Sequence, residues 1–399
     1  MHLARRAQSL SAPATLELIA RVAELRAAGV DVISLGAGEP DFPTPPEAIA
    51  AATAFIAKGL VQYTQANGLP ELRAAAAASL TLSTGVSWAP AQVVVTNGAK
   101  EGVALAILAV AGEGDEVLVP TPSWISYEPM VAIADARVVR LPCDEESQWK
   151  LRPETLAAAL TPRTRALVLN TPNNPTGSVY SQAELAALGR VLDGRDVTVI
   201  SDEIYSPFVF EGRHVSPAAV PGLAGRTVVV NGVSKSHAMT GWRIGYLTGP
   251  APIVETVGRL KGHLSSNAAA PSQHAALAAL RAGDGWSRTM AEAFARRRKL
   301  AVEALRRIPG VSVQAPAGAF YVFPRVDALY GGRVRGSHDF CRLLLDEAQV
   351  AVVAGAEFGE DRCVRLSIAI ADERLSEALA RIGRCLSSLP APTLSPSPR

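Results

Sequence analysis

The chain has little with which to cross-link itself. Its 399 residues include four cysteines, Cys143, Cys341, Cys363 and Cys385, with no C-x-x-C pair among them. That spacing excludes a disulfide scaffold and a cysteine zinc site, and fits reduced structural thiols in a cytoplasmic protein. The six histidines show no H-x-x-x-H or H-E-x-x-H spacing, so no metal site is expected. Charge of one sign is missing too: 39 lysines and arginines stand against 37 acids, a formal charge of +2. No basic block is long enough for a nucleic-acid stripe. The densest, Arg296-Arg297-Arg298-Lys299, falls in a helical pattern and reads as a solvated helix face. No apolar run reaches the ~18 residues of a membrane span. Met1-His2-Leu3-Ala4-Arg5-Arg6 is not followed by a long apolar run, so no signal peptide is expected.

What remains is an ordinary alanine-rich globular composition, 48% hydrophobic and 19% charged, long enough for one large core and a second, smaller one. Between residues 90 and 250 short β-branched runs alternate with helical patterns. Strands are expected at 92–96, 116–120, 136–141, 165–170, 198–202, 226–230 and 244–248, and helices at 100–111, 153–160 and 183–192. The alternation predicts an α/β fold: a mainly parallel seven-stranded sheet with helices on both faces. The last third reads as α+β, with helices at 285–308, 338–348 and 372–386 and a strand at 363–369. A helix at 15–28 should pack on this smaller unit. The expected division is a large domain at 46–284, a small domain from 9–45 and 285–388, and a disordered tail at 389–399, where four prolines crowd.

Ligands of such sheets collect at the carboxyl ends of the strands. Lys235, Asp202, the stretch Asn170 to Asn174 and the stretch Gly98 to Lys100 all follow expected strand ends. Lys235 lies just past the run Thr227-Val228-Val229-Val230, and Arg243 follows eight residues later in Ser234-Lys235-Ser236-His237-Ala238-Met239-Thr240-Gly241-Trp242-Arg243. A reactive amine beside a permanent cation suits pyridoxal 5′-phosphate, whose aldehyde takes the amine and whose phosphate takes the arginine. Asp202-Glu203-Ile204-Tyr205 puts a carboxylate at a strand end, as the pyridine nitrogen requires; a surface acid is the plain alternative. Asn173-Asn174-Pro175-Thr176-Gly177 is a turn on its face. Thr96-Asn97-Gly98-Ala99-Lys100 runs from strand to helix with small residues that allow close backbone approach. Gly36-Ala37-Gly38-Glu39-Pro40-Asp41 lacks the third glycine and the strand–helix setting of a dinucleotide fingerprint.

Together, in this order, these segments resemble the class I aminotransferases (the aspartate aminotransferase family, pyridoxal phosphate fold type I) from about Ser9 to Leu386. The resemblance implies that Lys235 is the catalytic lysine and Asp202 the partner of the ring nitrogen. It assigns Asn174 and Tyr205 to the ring's phenolic oxygen and Trp124 to the stacking surface, with Tyr127 as a neighbour. Ala99, Lys100, Ser234 and Arg243 become the phosphate cradle, with Gly232 standing where relatives often carry a further serine. Tyr63 would reach the phosphate of a partner subunit, implying a homodimer with shared sites. Gly38 and Arg365 would meet the substrate α-carboxylate, and Asn174 and Trp124 would also touch the substrate; an exposed edge arginine is the plain alternative for Arg365. His237 is expected to pack rather than react. Cis bonds are expected at Asn174–Pro175 and Thr121–Pro122.

The implied reaction is transamination between an L-amino acid and a 2-oxo acid, of aspartate/2-oxoglutarate type. Lys100 and Thr15 match residues that meet a distal carboxylate, whereas Pro13 replaces the usual serine. Aromatic, prephenate or aliphatic substrates, or another chemistry on the fold such as a β-lyase, are the alternatives. A ligand-sensing regulator would need a helix-turn-helix module, for which no room is seen before Ser9.

Overall fold

The computed structural model describes residues 5–8 and 14–387. Ser9, Pro13 and the expected tail at 389–399 lie outside the described residues, as does the side chain of Thr15.

In chain order the strands are β1 (Ile33–Ser34), β2 (Val94–Thr96), β3 (Glu116–Thr121), β4 (Arg137–Pro142), β5 (Thr164–Asn170), β6 (Thr198–Asp202), β7 (Thr227–Gly232) and β8 (Gly245–Thr248). Four short ones follow: β9 (Tyr321–Val322), β10 (Val350–Ala351), β11 (Val353–Ala354) and β12 (Val364–Ser367). Seven form one sheet in the order β2-β8-β7-β6-β5-β3-β4. All its neighbours pair parallel except at β8, which runs antiparallel to both β2 and β7.

Both faces of this sheet are dry because both sets of alternating side chains are apolar. Val117, Val119, Ala166, Val168, Ile200, Val228 and Val230 point to one face, against helices Ala99–Val110, Tyr127–Ile133 and Ala251–Leu264. Leu118, Leu167, Leu169 and Val199 point to the other, against Leu156 of Pro153–Ala159 and Leu185 and Leu188 of Gln182–Val191. Val95, Val229 and Tyr246 share that opposite face with Leu72, Leu80 and Leu277 of helices Pro70–Thr84 and Ala270–Ala282. A fully buried leucine such as Leu167 is worth about 2–5 kcal/mol against alanine at such a position. With neither face open to water, no register slip is cheap, and every parallel strand delivers its carboxyl end to the same rim.

A second core gathers Ile33, Leu35, Ile204, Tyr205 and Phe208 with residues from Met290 to Leu386. It contains helices Gly285–Arg306, Ser337–Ala348 and Asp372–Ser387 and the three-stranded sheet β11-β12-β9. The helix Ala14–Ala27 joins this side through Val22, which packs with Val32, Leu345 and Ala351. One expectation is corrected here. The basic cluster is a solvated face only in part: Arg296 and Lys299 are exposed, but Arg297 is 7% exposed and pairs with Asp41 at 2.7 Å and Asp372 at 2.6 Å. It ties the Gly36–Phe42 approach to the last helix.

Among the described residues no helix is long and apolar enough to cross a membrane, and no His/Cys/Asp/Glu group has the makings of a metal site. The four cysteines are free thiols. Cis bonds occur at Thr121–Pro122 and Asn174–Pro175, and also at Thr171–Pro172.

Candidate active site

The rim at the carboxyl ends of the strands opens into a cavity of about 590 Å3. Gly38, Ala99, Lys100, Trp124, Asn174, Asp202, Tyr205, Ser234, Lys235, Arg243 and Arg365 all line it. Tyr63 does not; it is 91% exposed on the outside of the chain.

Lys235 sits in the four-residue helix Val233–Ser236 that follows β7 directly. Its Nζ donates to Gly38 O at 2.5 Å. Burial lowers its pKa to about 8; Arg243 and Arg365 push the same way, while Glu39 and Asp202 oppose. The amine is thus poised between its charged and nucleophilic forms near neutral pH.

Asp202 ends β6 and is buried. Its Oδ2 accepts from the Tyr127 hydroxyl at 2.7 Å and its Oδ1 from the Ile204 amide at 3.2 Å. Burial raises it to about 6 despite those donors. Asn170, at the end of β5, donates to Asp202 O at 2.9 Å and accepts from the Asn174 amide at 2.7 Å, so two strand ends are stitched together. Tyr205, raised far above its ordinary pKa chiefly by burial, shares a 2.8 Å hydrogen bond with the Tyr321 hydroxyl.

The expected cradle has a clear geometry. Gly98, at φ +81°, starts the helix Ala99–Val110, whose first-turn amides have no intrahelical acceptor. A Cβ on Gly98 would fall 2.4 Å from Arg243 Nη2, so only glycine seats that guanidinium. Arg243 donates to Thr240 O at 3.0 Å and Asn97 O at 3.2 Å. A Cβ on Gly245 would meet Ala99 N at 2.4 Å, which lets β8 run close beneath the helix start. At Gly232 a Cβ would stand 2.8 Å from Ile244 O, so the position that lacks a serine is also closed to one without backbone movement. Lys100 Nζ lies 5.0 Å from the Trp124 ring centroid, and Trp124 meets Tyr127 edge-on at 5.3 Å.

Arg365 is not an edge residue. Its strand β12 runs between β11 and β9, and the side chain is 4% exposed. Nη1 donates to Asn174 Oδ1 at 3.0 Å and Nη2 to Gly36 O at 2.7 Å, while the guanidinium lies 4.5 Å from the Tyr321 ring and 4.9 Å from Phe358. The buried Nε has no hydrogen-bond partner. An orphaned donor on a buried cation is what an arriving carboxylate would satisfy. A Cβ on Gly38 would meet Tyr321 Oη at 2.8 Å, so the Gly36-Ala37-Gly38 run serves carbonyl approach and not a nucleotide. His237 is buried and bonds Ser236 Oγ at 2.7 Å, outside the cavity lining.

Sequence reasoning placed Asn170 at a strand end and Glu39 in a quoted run but gave neither a role, and it did not reach Tyr321 or Phe358; all four line the cavity. Tyr321 and Phe358 come from the second core, where no motif announces them.

Residues 30–382 match the family model of aminotransferase class I and II. The chain belongs to the class I and II aminotransferases. It is 41% identical over 391 residues to an aspartate aminotransferase of Geobacillus stearothermophilus, covering 97% of this chain and 100% of that relative. It is 43% identical over 377 residues to an aspartate/prephenate aminotransferase of Cereibacter sphaeroides, covering 92% and 94%. Among solved structures, the aspartate aminotransferase of Rhizobium meliloti superposes with a TM-score of 0.93 at 38% identity, covering 98% of this chain and all of that one. The Thermus thermophilus aspartate aminotransferase with maleate gives 0.92 at 39%, covering 97% and 100%. The chain is therefore an aminotransferase, of a family whose members depend on pyridoxal phosphate.

Proposed function

We propose that the chain carries pyridoxal 5′-phosphate on Lys235 and moves an amino group between aspartate and a 2-oxo acid such as 2-oxoglutarate. The observation that carries this reading is one cavity holding a Lys235 amine near 8, a buried Asp202 near 6 and a buried, under-satisfied Arg365.

The residues fit the cofactor. Asp202 takes its hydrogen bonds from neutral groups, and a protonated ring nitrogen would supply the missing positive charge. The amides of Ala99 and Lys100, the Ser234 hydroxyl and Arg243 make a donor set for a phosphate. When bound, the cofactor supplies an electron sink for bond breaking at the substrate α-carbon. Asp202 holds the ring-nitrogen proton that makes the sink effective. Asn174 and Tyr205 bind the phenolic oxygen, and Trp124 fixes the plane of the ring. Arg365 grips the α-carboxylate beside the carbonyls of Gly36 and Gly38. Lys235 Nζ is the base placed to take the substrate α-proton, which it would pass to the cofactor's C4′ carbon and not back to the α-carbon.

Four cations and two carboxylates line the cavity: Lys100, Lys235, Arg243 and Arg365 against Glu39 and Asp202. That surplus suits a phosphate plus a dicarboxylate, with Lys100 at the distal carboxylate. Aromatic walls from Trp124, Tyr205, Tyr321 and Phe358, together with the name of the Cereibacter sphaeroides relative, favour prephenate as a second 2-oxo acid. Exposed Leu60 and Val61, just before Tyr63 in the chain, support a homodimer that shares its sites, with Tyr63 reaching across. Four free thiols accord with a cytoplasmic setting. The separate sheet core supports a large domain at 46–284 and a small one from the flanking segments, whose core also takes in Ile204, Tyr205 and Phe208.

The test is absorbance of the purified protein loaded with pyridoxal phosphate. Aspartate should abolish the band of the lysine-bound cofactor, and 2-oxoglutarate should restore it. A band indifferent to aspartate would sink the dicarboxylate assignment. Recovery with prephenate but not 2-oxoglutarate would select the second reading.

A further inference from the structure

Behind the cradle, outside the cavity lining, lies an ion pair between a buried lysine and a partly buried glutamate that the transamination chemistry does not use. Lys261, fully buried on helix Ala251–Leu264, points its Nζ at Glu101 Oε2 (3.4 Å), Ser265 Oγ (3.2 Å) and Ser266 O (2.5 Å). Glu101, in the first turn of Ala99–Val110, also accepts from the Ser265 hydroxyl. Its carboxylate takes the Asn97 amide at 2.6 Å and Asn97 Nδ2 at 3.1 Å on both oxygens. The other end of the same residue, Asn97 O, accepts from Arg243 Nη2 at 3.2 Å.

A buried lysine is costly unless paired, and burial does lower its pKa while Glu101 opposes. Helix packing alone would be served by a leucine there. The ion pair instead grips Asn97, the one residue between β2 and Gly98, on whose carbonyl the Arg243 guanidinium rests. Because the pair is neutral overall, it fixes this turn without offsetting the positive charge of the cradle. We infer that Glu101, anchored by Lys261, is a positioning residue for the phosphate end of the cofactor: it holds Asn97 so that Arg243 is aimed, and touches no ligand itself. This rests on the cofactor reading above.

The test compares binding of pyridoxal phosphate and of pyridoxal, which lacks the phosphate, to the cofactor-free protein. Outer groups that orient a ligand-binding side chain are worth roughly tenfold or more in affinity. Glu101→Ala should weaken pyridoxal phosphate by about tenfold and leave pyridoxal within about twofold. Glu101→Gln keeps an acceptor for the Asn97 amide and should recover most of the loss. Lys261→Met, whose apolar stem fills the space of the lysine, should show the same selective loss, so a folding failure in one variant leaves the comparison intact in another. Parallel loss of both ligands would mean a packing role only, and no loss of either would mean no role; both overturn the inference. Wild-type protein that binds neither compound would instead overturn the cofactor reading, before any variant is made.

Discussion

Replacing Asp202 by asparagine should stabilise the cofactor-free protein while crippling its chemistry. The carboxyl is 4% exposed, held by the Tyr127 hydroxyl at 2.7 Å and the Ile204 amide at 3.2 Å, and burial still carries it from 3.8 to about 6. That displacement corresponds to about 3 kcal/mol against the ionised native state. The sign follows from proton binding. The native protein holds this proton more tightly than the unfolded chain, so the contribution is full below about pH 4, falls as pH rises, and is gone above about pH 6. Asparagine does not titrate. The stability gap between Asp202→Asn and the parent should therefore change by about 3 kcal/mol between roughly pH 4 and pH 8, in favour of the variant at the higher pH. Any fixed cost of re-pairing the amide, about 1 kcal/mol, shifts both ends equally. Urea unfolding of the two cofactor-free proteins at both pH values measures this gap. A gap independent of pH, or one growing in favour of the parent, would refute the buried-carboxylate reasoning. In the loaded enzyme the same variant should lose turnover far more than cofactor affinity.

The remaining predictions concern the other walls of the cavity. Arg365→Lys forfeits a planar fork whose Nε lies ready for a carboxylate; kcat/KM for aspartate should fall by about 100-fold or more, at roughly 1.5–3 kcal/mol per charged hydrogen bond. A fall under about threefold would free Arg365 from that role. Capture of pyridoxal phosphate by the cofactor-free protein needs the unprotonated amine of Lys235, so its rate should rise with pH and level off above about 8, as stopped-flow absorbance can follow. A flat profile across that range would contradict the lowered amine. Mixing inactive Lys235→Ala with inactive Tyr63→Ala protein should restore activity to about a quarter of the sites, if random pairing forms shared-site dimers. Persistent inactivity of the mixture would contradict a site that draws Tyr63 from the partner subunit.

Much of this was legible because strand ends are marked twice, by a β-branched run and by the polar turn after it. The expected strand 198–202 coincides with Thr198–Asp202, and the other six strands of the large sheet fall within two residues of expectation. Helices Pro46–Ile56, Pro70–Thr84, Ala251–Leu264 and Ala270–Ala282 passed unread. In Pro70–Thr84 the run from Ala74 to Ala78 buries some alanines and exposes others, and alanine alone carries no stripe to betray the face. Arg365 was legible only in part. Alternation correctly set it apart from Val364 and Leu366, but both faces of that strand are buried, one by core and one by Asn174, Tyr321 and Phe358. Glu101 and Lys261 gave no signal at all, because each looks like a surface residue of its own helix until the two helices are packed together.

The most direct test is to find which lysine carries the cofactor. The loaded protein is reduced with borohydride, digested, and the modified peptide located by mass. Lys235 should bear the pyridoxyl group, and Lys235→Ala should take up none. Label on Lys100, Lys261 or any other lysine, or a reducible linkage that survives in Lys235→Ala, would contradict the assignment on which every role above depends.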